Sequence, residues 1–362
     1  MKSHSSAESA SAVALETEAG FDPETFQHNL PHQYRSVLSE FQKISRSFVR
    51  FNILFLGAIG AQSGVLFVFL PFFSESSLLG FSLSVLFLTG FCYAVLLFYY
   101  QTKKPESLRN LLNRFTASCR VSIGLPVGMA QHHLSIADTL IKLSAYLQDY
   151  EWHMGQAARW FSPFRKILSR ISAYCHWHDV FRFKQMLLYT AIDEHLQQIR
   201  ITPTDLEVHA SLANAYVLLS QIYKEPRGID STHPRQSLYR KWETRFKEKF
   251  ETAAKLALEE FRILSQYAPQ DPWVHEQLAS GYRELEMPAE EILEVETLLK
   301  LKPNDRALQW RLGLLYFQQG LNSKGLQIYD ALKKAHYNRA EELIAAYGFN
   351  SDSKQQITPI HL

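Results

Sequence analysis

The chain has 362 residues, 38 basic and 36 acidic, with 46% apolar and 20% charged residues, an average that fits a soluble protein with a sizeable core. That average conceals a division: residues 51–102 hold one charge, Glu75, so the other 310 residues carry 73 of the 74 charges. The distribution excludes a wholly soluble chain, a disordered chain, a disulfide scaffold on 3 cysteines, and a polytopic transporter, since one short region alone is apolar enough to span a bilayer.

Residues 1–20 are rich in Ser, Ala and Glu without periodicity, and residues 1–32 are expected to form a disordered tail. Asp22-Pro23-Glu24 gives a helix-start signal. Tyr34, Val37, Leu38, Phe41 and Ile44 recur at helical spacing, which predicts an amphipathic helix over 33–50. No secretory signal peptide is expected, because the first 50 residues lack an apolar core of the right length.

Phe51–Phe73 and Ser76–Thr102 are each uncharged and longer than the roughly 20 residues needed to cross a bilayer. The short polar stretch Ser74-Glu75-Ser76-Ser77 joins them, so a two-span hairpin is expected over 51–102. Arg46 and Arg50 precede the first span, Lys103, Lys104 and Arg109 follow the second, and the turn has no basic residue. The positive-inside rule then puts both termini in the cytoplasm of an integral membrane protein, of bacterial inner-membrane type. Gly57, Gly60 and Gly64 line one side of span one and are expected to pack it on span two, with self-association through Gly60 and Gly64 as the alternative.

Residues 103–200 carry a net charge of +6. Without interleaved stacking aromatics this excludes nucleic acid and points to lipid headgroups, with Lys103, Lys104, Arg109 and Arg114 as the membrane-surface residues. Pro105-Glu106-Ser107 reads as a fresh helix start. The face of Leu108, Leu111, Leu112 and Phe115 suits either an in-plane membrane helix or docking on helices downstream. Within the basic juxtamembrane region 103–202, Leu134–Leu143 and Met186–Ile199 are helical patterns, compatible with a divergent repeat carrying an insertion at 149–180.

Further on, the chain repeats itself. Trp273, Leu278, Ala279, Tyr282, Val295 and Leu298 follow Pro269, and Ala307, Leu312, Gly313, Tyr316, Tyr329 and Leu332 follow Pro303 at the same offsets. Leu212, Ala213 and Tyr216 after Pro203 open the same pattern, and Ala257, Phe261 and Leu264 close it, about 32 extra residues intervening. This pattern resembles the tetratricopeptide repeat, most strongly over 270–334. The resemblance implies an α-solenoid of paired A and B helices over 203–336, with an insertion at 224–256. That insertion comprises a polar loop, Glu225–Gln236, and then a long charged helix, Leu238–Leu264. A capping helix is expected over 337–349 and a disordered tail over 350–362. The chain departs from the family at His209, His275 and Gln309, where Trp is usual, and at Glu291, where a small residue is usual and the crossing is expected to loosen.

The resemblance also implies a concave groove made by the A helices, binding a protein or peptide through Asn214, Trp273, Arg283, Trp310, Arg311, Leu314 and Phe317. Trp310 and Phe317 are costly to leave exposed, so either a peptide or the capping helix covers them. A chaperone-type carboxylate clamp is not expected, because Ala210, Gln277 and Ala307 stand where Lys, Asn and Lys belong.

Catalytic motifs are absent, and neither enzyme activity nor a cofactor is expected. His176-Trp177-His178-Asp179 is read as a solvated loop or helix end rather than a metal site. The expectation is thus an all-α chain: a transmembrane hairpin followed by a helical solenoid, acting as a membrane-anchored scaffold. An alternative follows from the two spans and Ser-rich tail, which resemble the bilobed region of chlamydial inclusion membrane proteins, secreted effectors displayed on a host vacuole.

Overall fold

In the computed structural model, residues 23–73, 77–123, 129–154, 165–224 and 243–347 are described, and among them every regular element is a helix. Residues 1–22, 74–76, 124–128, 155–164, 225–242 and 348–362 lie outside the described residues, and with them residues 1–22 of the expected tail 1–32, the whole expected tail 350–362, most of the turn Ser74–Ser77 and the polar loop Glu225–Gln236. The chain divides into two units, one ending at Pro203 and one comprising Thr204–Gly228 and Arg240–Leu362.

The first unit is built on two long helices, α1 (Pro23–Phe73) and α2 (Ser77–Ile123). Helix α1 merges the expected amphipathic helix with span one and begins at Pro23, so residues 23–32 are helical rather than part of a tail. Helix α2 runs through Pro105 without a break, correcting the expected helix start there. Proline removes one backbone donor from the ladder and its ring crowds the carbonyl one turn back, a cost of about 3 kcal/mol, and packing on both sides of it holds the helix together. Phe48 and Phe51 meet the Tyr100 ring on one side, and Leu108, Leu111 and Leu112 are buried on the other.

Three further helices complete this unit: α3 (Ala130–Tyr146), α4 (Tyr150–His153) and α5 (Arg165–Ile201). The core joins the buried stripe Tyr34, Val37 and Phe41 of α1 to Leu108, Leu111, Leu112 and Phe115 of α2, and to Ile136, Leu140, Phe183 and Leu187. Phe41 stacks on Phe183 at 5.1 Å. The apolar face of residues 108–115 therefore docks on helices, and it is not free to lie in a bilayer. The expected insertion at 149–180 is partly helical: α5 starts at Arg165, well before the Met186 boundary read from the pattern.

Polar side chains tie this core at two places. Where α1 and α2 leave the core, Ser45 is fully buried; its hydroxyl donates to Asp179 and lies 2.7 Å from Nδ1 of His176. Because the serine proton goes to the carboxylate, His176 is the donor in that contact. Asp179 also holds Lys104 at 2.6 Å, and the Lys104 ammonium sits 4.2 Å from the centre of the Phe48 ring. His176 and Asp179 are thus buried in mid-helix, not in a solvated loop. Burial holds the His176 imidazole below its ordinary range, against the pull of Asp179. Further along, buried Glu194 accepts from Arg120 at 2.6 Å and pairs with Nδ1 of His133 at 2.7 Å.

The described residues of the second unit form two longer helices, α6 (Leu206–Lys224) and α7 (Glu243–Tyr267), then four of 13 or 14 residues, α8 (Pro272–Glu284), α9 (Pro288–Leu301), α10 (Arg306–Gln318) and α11 (Asn322–Lys334), and the short α12 (Ala340–Ile344). The step from the start of α8 to that of α10 equals the step from α9 to α11, and both match the interval from Pro269 to Pro303. Small residues sit where neighbours press: a Cβ at Gly313 would lie 2.8 Å from Leu343, and one at Gly325 would lie 2.4 Å from the Phe317 ring. The turn after each of α8 and α10 contains a left-handed residue at the same repeat position, Glu286 and Gly320. Part of the expected insertion at 224–256 is helix, since α7 runs from Glu243 as an extended partner of α6.

Removing the carboxylate of Asp179 with an Asp179→Ala change strands the largely covered Lys104 ammonium. The expected cost is about 3 kcal/mol, read as a lower unfolding midpoint of the detergent-solubilised chain. A Lys104→Met, Asp179→Leu double variant should recover most of the loss. Burial also lowers His195 from its ordinary 6.5 to about 4, against the opposing pull of Gln198, Asp138 and Glu194. Above pH 6.5 neither the folded nor the unfolded form carries this proton, whereas between 6.5 and about 4 only the unfolded chain takes it up. Stability should therefore fall as the pH is lowered from 6.5 to about 4, and His195→Gln should flatten the dependence in thermal melts.

Candidate functional site

Two surfaces remain after the core is accounted for. The first is the apolar band of α1 and α2. Both helices contain 18-residue windows of mean hydropathy 2.2 with none of those residues buried. Both are long and apolar enough to cross a membrane. On α1 the partly covered residues are Asn52, Phe55, Ile59, Gln62 and Leu66, a spacing of three and four that marks the stripe facing α2. Across that seam Tyr93 donates to Asn52 at 2.9 Å, and the Gln62 amide donates to Thr89 at 3.1 Å.

The expected role of the glycines is corrected here. A Cβ built on Gly57, Gly60 or Gly64 meets nothing within 4 Å. They lie on the outward side of α1, because polar and aromatic residues, not small ones, occupy the seam.

The basic collar is also rearranged from the expectation. The Lys104 side chain is 14% exposed and engaged by Asp179, so it is not a surface lysine. Lys103 pairs with Glu106 at 3.0 Å and Arg114 with Glu40 at 2.8 Å, both exposed. Arg109 is exposed.

The second surface is the face of the A helices α6, α8 and α10. Each starts from an aspartate that accepts from the backbone two residues on: Asp205 from Glu207, Asp271 from Trp273, and Asp305 from Ala307. Each of these aspartates follows a proline by two positions, at Pro203, Pro269 and Pro303. This thrice-repeated Pro-x-Asp is a legible signal that the apolar pattern alone passes over.

Polar pairs occupy two of the three positions where the resemblance implies tryptophan. His209 holds Glu260 at 2.6 Å across 51 residues, and His275 holds Glu294 at 2.6 Å across 19. The longer reach of the first pair is accounted for by the interruption of its repeat. At the third site Gln309 donates to the carbonyl of Pro303, six residues back, as His275 Nε2 contacts that of Pro269. At the place in α11 that corresponds to Glu294 stands Ile328, which offers no acceptor.

Glu291 does not loosen its crossing. It is buried and paired with Arg311, with Arg283 at 3.5 Å, so one carboxylate engages two of the expected partner-binding residues. Burial pushes the carboxyl above its ordinary range while Arg283 pulls it back.

Of the remaining expected contacts, Phe317 is buried and Trp310 and Leu314 are partly buried, all three packed from the C-terminal side. Phe317 is 0% exposed and meets Tyr347 edge-on at 5.7 Å. Trp310 donates its indole N–H to the Arg339 carbonyl at 3.0 Å, beneath the Arg339 guanidinium. Leu314 packs into the same cluster around Leu343. The cap, expected over 337–349, is the short helix α12 with the turn to Tyr347. Asn214 is exposed, and Trp273 is 43% exposed with its edge on Phe261 at 5.7 Å.

Chemistry elsewhere is quiet. Ser45, His176 and Asp179 have the residue types of a nucleophilic triad, but the serine is fully buried and its proton faces the carboxylate. Among the described residues no group of three or more His, Cys, Asp or Glu is placed to hold a metal ion. Burial pushes the Cys119 thiol up to about 12, which keeps it from forming a thiolate.

No protein-family model matches the chain, and no curated protein sequence matches it.

The cap packing can be checked directly. Leu343→Ala should cost the second unit about 3 kcal/mol in a urea titration, since Leu343 is fully buried between Gly313 and the Phe317 cluster.

Proposed function

We propose that this protein is a membrane-anchored adaptor whose helical array, similar to tetratricopeptide repeats, binds a protein partner. The observation that carries the anchoring is the apolar band: two adjoining helices, each with an 18-residue apolar window in which no residue is buried. A soluble fold would leave this surface in water at a large cost. The hairpin lies in the bilayer, with Arg46 and Arg50 before the band and Lys103 after it on the cytoplasmic side. Both termini are then cytoplasmic, and the array works at the membrane surface, where tethering raises the local concentration of whatever it binds.

The binding face is narrower than the sequence implies. With Trp310, Leu314 and Phe317 under the cap, and Arg283 and Arg311 committed to Glu291, the A-helix face offers Asn214 and Trp273 as its free contacts. Trp273 is the anchor, a large aromatic left almost half exposed with its edge on Phe261.

In-cell proximity labelling, with the labelling enzyme fused after Leu362, tests this reading. Wild type is compared with an Asn214→Ala, Trp273→Ala variant, and alkaline extraction of membranes is run on both. The variant should stay in the membrane pellet and lose a discrete set of labelled proteins, while Trp310→Ala alone, under the cap, should cost stability rather than partners. An unchanged set in the double variant overturns the binding face, and release by alkali overturns the anchor.

A further inference from the structure

On the side of α1 and α2 away from the core lies an open groove of about 830 Å³, lined by Glu40, Lys43 and Ile44 of α1 and by Ser107, Asn110, Asn113 and Arg114 of α2. Ile44 is its one apolar side chain. Arg114 and Glu40 neutralise one another at 2.8 Å. That leaves Lys43, which is exposed and has no ion-pair partner among the described residues, so the lining carries one net positive charge. The amides of Asn110 and Asn113 add neutral donors beside it.

One uncompensated cation with amide donors suits a ligand bearing one negative charge and several acceptor oxygens, which is the description of a phosphate diester. The position of the groove distinguishes a lipid from a free phosphate. Leu54 lies three helical turns from Lys43 on the same face of α1, and Tyr99 lies three turns from Asn110 on the same face of α2. Both are well exposed, at 72% and 57%. Measured from Arg50 and Lys103, the near edge of the groove, at Ile44 and Ser107, lies about 6–9 Å beyond the apolar band, at the outer edge of the headgroup layer. A lipid phosphate held at this near edge lets its acyl chains run back along the exposed side of the band.

We propose that this groove binds the headgroup of an anionic phospholipid, with Lys43 as the charge-bearing contact. The proposal rests on the reading of the hairpin as a membrane anchor. Of the surface first expected for lipid, Lys103, Lys104 and Arg114 have protein partners, and Arg109 is exposed outside the groove.

The test uses the full chain purified in detergent and titrated with phosphatidylglycerol or phosphatidylcholine, with bound lipid counted by native mass spectrometry. Lys43→Gln should weaken phosphatidylglycerol binding about fivefold, the worth of one lysine at a lipid surface, and Asn110→Leu should weaken it too. Lys255→Gln, exposed on the second unit, is the control and should change nothing. Inorganic phosphate at millimolar level should not displace the lipid. Equal binding by wild type and Lys43→Gln overturns the proposal, as does equal retention of the two lipids or displacement by phosphate alone. Alkaline extraction of membranes from the same cells separates the two failures. A chain released by alkali was never anchored, whereas an anchored chain indifferent to Lys43 refutes only the headgroup site.

Discussion

One carboxylate governs the junction at which the apolar helices meet the rest of the first unit. Asp179 receives the Ser45 hydroxyl from α1 and the Lys104 ammonium from α2 while belonging to α5. Three long helices are thus fixed in rotation about their axes at one level. An ammonium and a carboxylate taken out of water are costly apart and tolerable together, so the contact discriminates between registers: slide α2 by one residue and Lys104 loses its partner. The aromatic stacking of Phe41 on Phe183 and the seam between the two apolar helices both depend on that register.

The second unit applies the same logic through repetition. Where a tryptophan would fill space between two helices, His209 and His275 each reach a glutamate on the partner helix. Buried polar pairs of this kind add less by area than a large ring, but they allow few alternative alignments. Glu291 extends the principle from one helix pair to the next, since its two arginines come from α8 and α10. The array is held as much by matched charges as by apolar contact, and this takes from its inner face several groups that would otherwise meet a ligand.

Much of this could be read from residues in order. The length of the uncharged stretches foretold two long apolar helices, because hydrocarbon thickness translates directly into residue number. The recurrence from Pro269 to Pro303 foretold the spacing of α8 and α10, since each repeat must present the same small and large residues to its neighbour. What escaped were properties set by distant chain segments. Pro105 looks like a helix start because local rules apply to isolated segments, while here packing on both sides carries the helix through it. The glycines of α1 look like a packing face, yet the seam went to Asn52, Gln62 and Tyr93, whose hydrogen bonds need partners that spacing alone does not reveal. His176 and Asp179 look solvated because they are polar. Their burial depends on Ser45 and Lys104, which belong to other helices, and Ser45 lies 131 residues from His176 in the chain.

The uninterrupted course of α1 has a mechanical consequence. From Arg50 back to Pro31 the helix extends about 28 Å beyond the apolar band, with neither a proline nor a glycine between those two residues to act as a joint. Such a helix has no hinge residue where the apolar band begins. With the apolar half embedded as proposed, a change of about ten degrees in its tilt sweeps the Pro31 end through about 5 Å, and α2, packed against it, swings with it. The core of the first unit rides on that pair, so under this proposal a change in bilayer thickness would reach it as a pivot moves the tip of a pointer.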